Sequence, residues 1–417
     1  MTPPPSDSTR QQASDRRFNG SPSPAPRLAI VLSHPTQYYS PWFRWLRQHS
    51  PLSFRVFYLW DFGVKATRDP EFQSTFAWDV DLLAGYEHEF VPNTSRDAGT
   101  HHFAGLRNPT LPARLAAYAP HAILLFGYAY ATHLRLLAWA RLRRIPVIFR
   151  GDSHFLGRPR PPFATRAMLR LLYRQFTALT YVGAANRDYF TTLGVPEEKL
   201  FFAPHSVDHT RFDPASESTR ATAAALRASI GLAPDTRVIL FAGKLIPAKQ
   251  PRELLDAFLS LPPGDHVLVF VGEGPEKNAL LQRAAATPSH RVVFLPFANQ
   301  SEMPARYLFA DVFALPSRGL YETWGLAVNE AMHMGRPCLV SDRVGCQRDL
   351  VTHGATGWVF RSEDYSDLRS RLAEALSADL DSMRLAVAER IRSYTYAQTT
   401  LGLHAALSAV QPRSSQS

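Results

Sequence analysis

The chain has 417 residues, 45% hydrophobic and 20% charged, with a formal net charge of +10, which is enough for two domains with full cores. Its two cysteines exclude a disulfide framework or a cysteine-built metal cluster, and fit packing residues in a reducing cytosol. No apolar run approaches the ~18 residues of a membrane-spanning helix. The start, Met1-Thr-Pro-Pro-Pro5, lacks the basic end and apolar stretch of a secretory signal, so a cytoplasmic protein is expected.

Residues 1–26 are rich in Pro, Ser, Gln and Arg and poor in large apolar side chains; this predicts a disordered tail. From Arg27 the pattern changes. Apolar runs at Leu28–Leu32, Phe54–Leu59, Ala122–Phe126, Val147–Phe149 and Leu179–Val182 read as buried strands, with helical segments such as Pro41–Gln48 between them. Strands alternating with helices predict a doubly wound parallel sheet over residues 27–210. The basic charge gathers in this half: between Arg135 and Arg174 there are ten arginines and one acid, Asp152. Two readings stand. The arginines form solvated helix faces, or they attract anionic lipid or an acidic acceptor at the inner face of the cytoplasmic membrane. Arg166, Arg170 and Arg174 share one predicted helix face, either interfacial or packed on the sheet. No nucleic-acid motif or aromatic platform accompanies the charge, so nucleic acid is not expected as a partner.

From residue 211 to 385 the rhythm restarts. Strands are predicted at Val238–Phe241, Val267–Val271, Val292–Leu295, Val312–Leu315 and Cys338–Ser341. Helices are predicted at Pro251–Ser260, Lys277–Ala286, Met303–Ala310 and between Gly325 and Gly335. A long helical stretch over Leu376–Ala409 closes the chain, with residues 386–417 expected to cross back to the first domain and end in a short tail. The expected fold class is α/β: two Rossmann-like domains facing across a cleft, the carboxyl ends of both sheets turned toward it.

The helix after Gly325 carries the most chemistry. Its first-turn residues Leu326, Ala327 and Val328 present N–H groups without intrahelical partners, and the positive end of the helix dipole favours an anion. Glu330 lies five residues on, about 7.5 Å along the axis, near the separation of a diphosphate from the ribose of the same nucleotide. Glu322 lies on the other side of the phosphate, where a sugar would be. Two glutamates eight apart are also compatible with one solvated and one helix-face residue. Three further elements end predicted strands on the cleft side. Phe241-Ala-Gly243-Lys244-Leu-Ile-Pro-Ala-Lys249 supplies two lysines that can neutralise a departing diphosphate without a metal. Val271-Gly-Glu-Gly-Pro275 is a tight strand-to-helix turn. Leu295-Pro-Phe297-Ala-Asn299 offers an aromatic edge to a nucleobase.

In this order the motifs Gly243-Lys244…Lys249, Val271-Gly-Glu-Gly-Pro275, Leu315-Pro-Ser317, Glu322-x7-Glu330-Ala-Met332 and Gly335-Arg-Pro337 closely resemble the nucleotide-sugar half of glycosyltransferase family 4. The family consists largely of retaining enzymes with the glycosyltransferase-B (GT-B) fold, and the likeness covers about residues 236–360. It implies that Lys244 and Lys249 hold the donor diphosphate, with lysine where arginine is commoner and the bidentate fork therefore absent. It implies Glu322 on the transferred sugar, Glu330 on the ribose, and Gly325 and Leu326 at the phosphate. It also implies a front-face reaction in which the departing phosphate deprotonates the acceptor, with no cofactor and no metal. Ala203-Pro-His-Ser-Val-Asp208 looks like the family's linker motif, with His205-Ser206 in place of Asn-Gly.

The first half departs from the family pattern. Ser33-His-Pro-Thr-Gln-Tyr-Tyr-Ser-Pro41 lacks the usual glycine-rich loop, so side chains such as His34 and Gln37 would act where backbone cannot approach. Its His-Pro-x-Gln-Tyr opening looks like that of a bacterial subgroup of the family. Asp152 stands at the family's His-Asp position and His154 two residues later. These four are expected on the acceptor side, against the alternative that both histidines are loop residues bonded to backbone. Trp78-Asp-Val-Asp81 matches a metal-binding tripeptide of the other major glycosyltransferase fold, but such tripeptides are common by chance and no metal is expected there. The resulting expectation is a retaining transferase moving a sugar from a nucleoside diphosphate to a polysaccharide, lipid-linked or lipopolysaccharide acceptor. A relative with a small phosphorylated acceptor and a non-catalytic glycan- or nucleotide-binding protein remain as alternatives.

Overall fold

A computed structural model describes residues 26–63, 67–69, 74–76, 79–319 and 322–410. The tail predicted over 1–26 therefore lies, apart from Pro26, outside the described residues, as does 411–417.

The first lobe contains strands β1 (Arg27–Leu32), β2 (Ser53–Tyr58), the hairpin β3 (Thr67–Asp69) and β4 (Ser74–Phe76), then β5 (His88–Phe90), β6 (Ala122–Phe126), β7 (Val147–Arg150), β8 (Ala178–Tyr181) and β9 (Leu200–Phe202). Its helices are α1 (Tyr39–His49), α2 (Leu111–Tyr118), α3 (Ala131–Leu142), α4 (Phe163–Tyr173) and α5 (Ala184–Thr192). Seven strands form one parallel sheet in the order β5-β2-β1-β6-β7-β8-β9. The unbroken apolar runs follow from burial on both faces: Leu28–Leu32 are all buried. Helices α2 to α5 cover one face through Leu115, Leu136, Leu169 and Phe190. Trp42 and Leu46 of α1 cover the other.

The second lobe runs α6 (Glu217–Ser229), β10 (Arg237–Ala242), α7 (Pro251–Leu259), β11 (His266–Val271), α8 (Lys277–Ala285), β12 (Arg291–Leu295), α9 (Met303–Phe309), β13 (Val312–Leu315), α10 (Leu326–His333), β14 (Cys338–Ser341), α11 (Gln347–Leu350), β15 (Gly357–Phe360) and α12 (Tyr365–Ser377). Its parallel sheet has the order β12-β11-β10-β13-β14-β15. In each sheet the winding reverses beside the first strand, between β1 and β6 and between β10 and β13. Loops that leave such a point at the carboxyl edge open a crevice where ligands bind. They are Ser33–Tyr38, Gly243–Lys249 and the stretch after Leu315.

The single long helix expected over Leu376–Ala409 is instead broken into α12, α13 (Leu380–Ile391) and α14 (Tyr396–Val410). Ala378 is extended, and Asp379 caps α13 by accepting the Asp381 N–H at 3.1 Å. Thr395 accepts the Gln398 N–H at 3.4 Å and starts α14. Capping side chains thus override a continuous helical propensity. Helix α13 packs on α10 of the second lobe, whereas α14 packs on β8, β9 and α1 of the first. There Trp42 Nε1 donates to Thr400 Oγ1 at 3.0 Å.

Two glycines mark where space and backbone freedom each matter. At Gly345 a Cβ would lie 1.8 Å from the Thr323 carbonyl, beside the Glu322 loop. At Gly335 the space is open but φ is +72°. Gly345→Ala should destabilise by more than about 2 kcal/mol because backbone must move, and Gly335→Ala by about 1 kcal/mol, the cost of a left-handed alanine. Thermal melting of the two variants should show that order; equal midpoints would mean that the Glu322 loop is not held by this contact.

Candidate functional site

The end of β10 sets the cleft floor. Past the sheet edge, Gly243 N donates to Val271 O at 3.0 Å and Leu245 N to Glu273 O at 2.9 Å, so two loops run backbone against backbone. A Cβ at Gly272 would lie 2.0 Å from the Gly243 carbonyl, and one at Gly274 would lie 2.5 Å from that of Leu245. The Val271-Gly-Glu-Gly-Pro275 turn thus supports the loop that carries Lys244 and the short turn Pro247–Lys249. The Lys249 ammonium reaches Glu322 Oε2 in a short ion pair, and Ser317 Oγ donates to the same oxygen at 3.1 Å.

Glu322 enters α10 through a loop fixed from behind: Gly345 N donates to Glu322 O at 3.3 Å and Cys346 N to Trp324 O at 2.8 Å. Gly325 caps the helix with φ +98°. Val328 N–H turns back to the Gly325 carbonyl at 2.8 Å. That corrects the expectation of three outward first-turn N–H groups, and the tip is formed by Leu326 and Ala327. One helical turn on, Glu330 is only 3% exposed. Tyr307 Oη donates to its Oε2 at 2.7 Å, while its Oε1 has no hydrogen-bond partner among the described residues. Burial pushes the Glu330 carboxyl up to about 7, against the lowering effects of Tyr307 and Arg211.

His34, Gln37, Gly243, Lys244, Lys249, Phe297 and Glu330 share the wall of one cleft of about 370 Å3, with Tyr38, Ala327 and Tyr307 among the other residues that line it. Glu322 is joined to Lys249 by their ion pair, but Glu322, Gly325 and Leu326 do not themselves line the cleft. His34 packs edge-on against Trp60 and Phe62, with centroids 5.8 and 5.4 Å away. Burial lowers its pKa to about 4, so its imidazole is neutral at pH 7.

Asp152 and His154 sit off the cleft wall. Asp152 Oδ2 accepts from Thr323 Oγ1 at 2.8 Å and lies 3.3 Å from His205 Nε2. Burial alone would raise this carboxyl, yet His205 and Thr323 hold it down at about 2. The buried His154 accepts the Leu156 N–H at 3.1 Å, the backbone-bonded arrangement of a loop histidine.

Tyr38, Tyr307, His205 and Thr323 were not singled out as site residues by the sequence. Tyr307 looks like a core residue of α9, and only the need of a buried carboxylate for a donor points to it. His205 bears a signal in the sequence, its departure from the linker pattern. Asp79 and Asp81, the two acids of the Asp-x-Asp tripeptide, have separate partners. Asp79 Oδ2 accepts the Ser301 N–H at 3.1 Å, and Asp81 Oδ1 accepts those of Leu83 and Ala84 at 2.9 and 3.0 Å. Trp78 lies outside the described residues. Among the described residues the ligand atoms of Asp97, His101 and His102 lie within 4.8 Å of one another, but none of the three lines the cleft.

Residues 223–395 match the family described as glycosyl transferases, group 1. A GDP-mannose-dependent alpha-(1-6)-phosphatidylinositol monomannoside mannosyltransferase of Mycolicibacterium smegmatis is 30% identical over 298 residues, 68% of this chain and 76% of that protein. The chain belongs to the group 1 glycosyl transferases. A D-inositol 3-phosphate glycosyltransferase of Nocardia farcinica is 32% identical over 229 residues, 52% of this chain and 49% of its own length. The chain thus spans about half the length of relatives of that kind. Among solved structures, HepE of Anabaena in complex with UDP and glucose superposes with a TM-score of 0.66 at 18% identity, covering 92% of this chain and all of that one. A glycosyltransferase from Rickettsia africae gives 0.71 at 11% identity, covering 93% of this chain and 100% of its own. At such identities the likeness is one of fold, the two-sheet GT-B arrangement.

The raised Glu330 carboxyl has a thermodynamic consequence. Between pH 4.5 and about 7 the folded protein keeps a proton that the unfolded chain releases, so this group lowers stability as pH rises through that window, by up to about 3 kcal/mol. Glu330→Gln should therefore melt higher than the parent at pH 8 and lose the advantage toward pH 5. A constant difference across that range would show that Glu330 ionises normally.

Proposed function

We propose that the protein is a retaining, metal-independent glycosyltransferase of family 4, in the subgroup opening His34-Pro-x-Gln37-Tyr38. It would transfer a sugar from a nucleoside diphosphate to a polysaccharide, lipid-linked or lipopolysaccharide acceptor on the cytoplasmic side of the membrane. The observation that carries this reading is Glu330 Oε1, which has no hydrogen-bond partner among the described residues, on the wall of a cleft that also holds Lys244 and Lys249. A buried carboxylate oxygen without a donor suits the vicinal hydroxyls of a ribose. The two lysines and the α10 tip then sit where the diphosphate follows. HepE, one of the structural neighbours, has been solved in complex with UDP and with UDP-glucose.

In this reading the donor diphosphate draws Lys249 from its pair with Glu322, and the freed carboxylate accepts hydroxyls of the transferred sugar. The glycosidic C1–O bond to the phosphate breaks as the acceptor hydroxyl attacks C1 from the same face. Its proton passes to the departing phosphate oxygen, so configuration is kept and no protein base is needed. Lys244, Lys249 and the N–H groups at the helix tip stabilise the charge that grows on the diphosphate. A second reading, a small phosphorylated polyol as acceptor, draws on the relatives named D-inositol 3-phosphate glycosyltransferase.

A panel of UDP-, GDP- and ADP-sugars incubated in EDTA should show slow hydrolysis of one donor; inertness with all of them would favour a binding-only protein. Glu330→Ala should raise the KM for that donor about tenfold, a loss of ground-state contacts. Lys249→Ala should instead lower kcat by about a hundredfold, a loss of transition-state charge stabilisation. Unchanged kinetics in both would remove these residues from the site. Product formation with inositol phosphate but not with glycan acceptors would select the second reading.

A further inference from the structure

Helix α4 has a face that the protein itself leaves uncovered. It buries Leu169 and Tyr173 against the first sheet, yet Phe163, Met168 and Leu171 are 80%, 60% and 63% exposed. At 100° per residue Phe163, Ala167 and Leu171 make one stripe, and Ala164 and Met168 the stripe beside it. The result is a continuous apolar strip along the outer side, unlike the singly scattered apolar residues of an ordinary surface. The neighbouring helix α3 adds Leu142, 85% exposed, and is tied to the end of α4 by Arg141 Nη1 donating to Gln175 Oε1 at 3.1 Å.

The charge around this strip is one-sided. Arg170 and Arg174 edge it on α4, and Arg135, Arg143 and Arg144 stand on and just after α3. Among the described residues none of these five has a carboxylate within ion-pair distance, whereas arginines elsewhere on the surface, such as Arg55, Arg187 and Arg348, are paired. Asp152 is the one acid in the whole segment 135–174, and it is engaged by Thr323 and His205.

We infer that the outer face of α3 and α4 docks on an anionic lipid surface, with Phe163, Met168 and Leu171 entering the headgroup boundary and the unpaired arginines meeting lipid phosphates. An apolar strip flanked by cations on a helix lying parallel to the surface is the pattern of an interfacial helix. The inference does not depend on the transferase reading, because no residue of α3 or α4 lines the cleft.

The test is co-sedimentation of the full chain with vesicles of phosphatidylcholine alone and of phosphatidylcholine with phosphatidylglycerol. Binding is expected only with phosphatidylglycerol present, and it should weaken as salt is raised. Phe163→Glu/Leu171→Glu and, separately, Arg170→Glu/Arg174→Glu should each weaken binding by about tenfold or more. Both double variants should keep the parent melting temperature and donor hydrolysis, since the changed side chains are exposed and outside the cleft. Failure to bind anionic vesicles, equal binding to neutral ones, or full binding by either variant would overturn the inference. So would a dimer in sedimentation equilibrium that Phe163→Glu/Leu171→Glu dissociates, because the strip would then belong to a second copy of the chain.

Discussion

The cleft has walls from both lobes, so its shape depends on the few polar contacts that hold one lobe against the other. Asp349 accepts the Ala184 N–H on both oxygens at 2.9 and 3.1 Å, at the amino end of α5. Arg348 pairs with Asp188 at 2.6 Å. Asn329 Nδ2 donates to the His205 carbonyl at 3.1 Å while its Oδ1 accepts from Trp324 Nε1 at 2.7 Å. Thr323 reaches Asp152 across the same seam. Two of these contacts, through Thr323 and Asn329, involve residues next in sequence to Glu322 and Glu330. The arrangement that aligns the lobes therefore also positions the two glutamates.

The site manages its charges in two ways. Glu322 is answered by Lys249 in an ion pair that a diphosphate can compete for. Glu330 is buried with one donor, Tyr307, and its carboxyl rises accordingly to about 7. A hydrophobic residue in its place would pack more favourably, and so would a carboxylate with both oxygens bonded. Under the proposed reading, a half-satisfied acid at this point lowers stability in exchange for an acceptor already desolvated for the ribose hydroxyls.

The architecture was legible because parallel strands buried on both faces leave long apolar runs, and because Gly243, Gly325 and Gly335 stand where turns need them. That Lys244, Lys249 and Glu330 meet in one cleft was legible from their places at strand and helix ends taken with the family resemblance, whereas the spacing of the two glutamates alone left them open to an unrelated reading. Contacts between units were not. Nothing local in Tyr307 signals its bond to Glu330, and nothing near Asp152 signals Thr323, 171 positions away in the chain. The short edge strands β5, β9 and β15 were missed because three or four residues carry too little pattern. The break at Ala378–Asp379 was missed because a capping aspartate competes with strong helix formers on both sides.

The polypeptide passes between the lobes twice, once along Ala203–Asp213 and once along Arg392–Tyr396, and α14 finishes on the lobe where the chain began. Two tethers define a line. Separation or sliding of the halves would stretch one or both, whereas rotation about that line leaves their lengths unchanged. The protein is in this sense a pair of jaws on a pin, and its gape is a single angle resisted by the seam contacts, that of Asp79 with Ser301 among them.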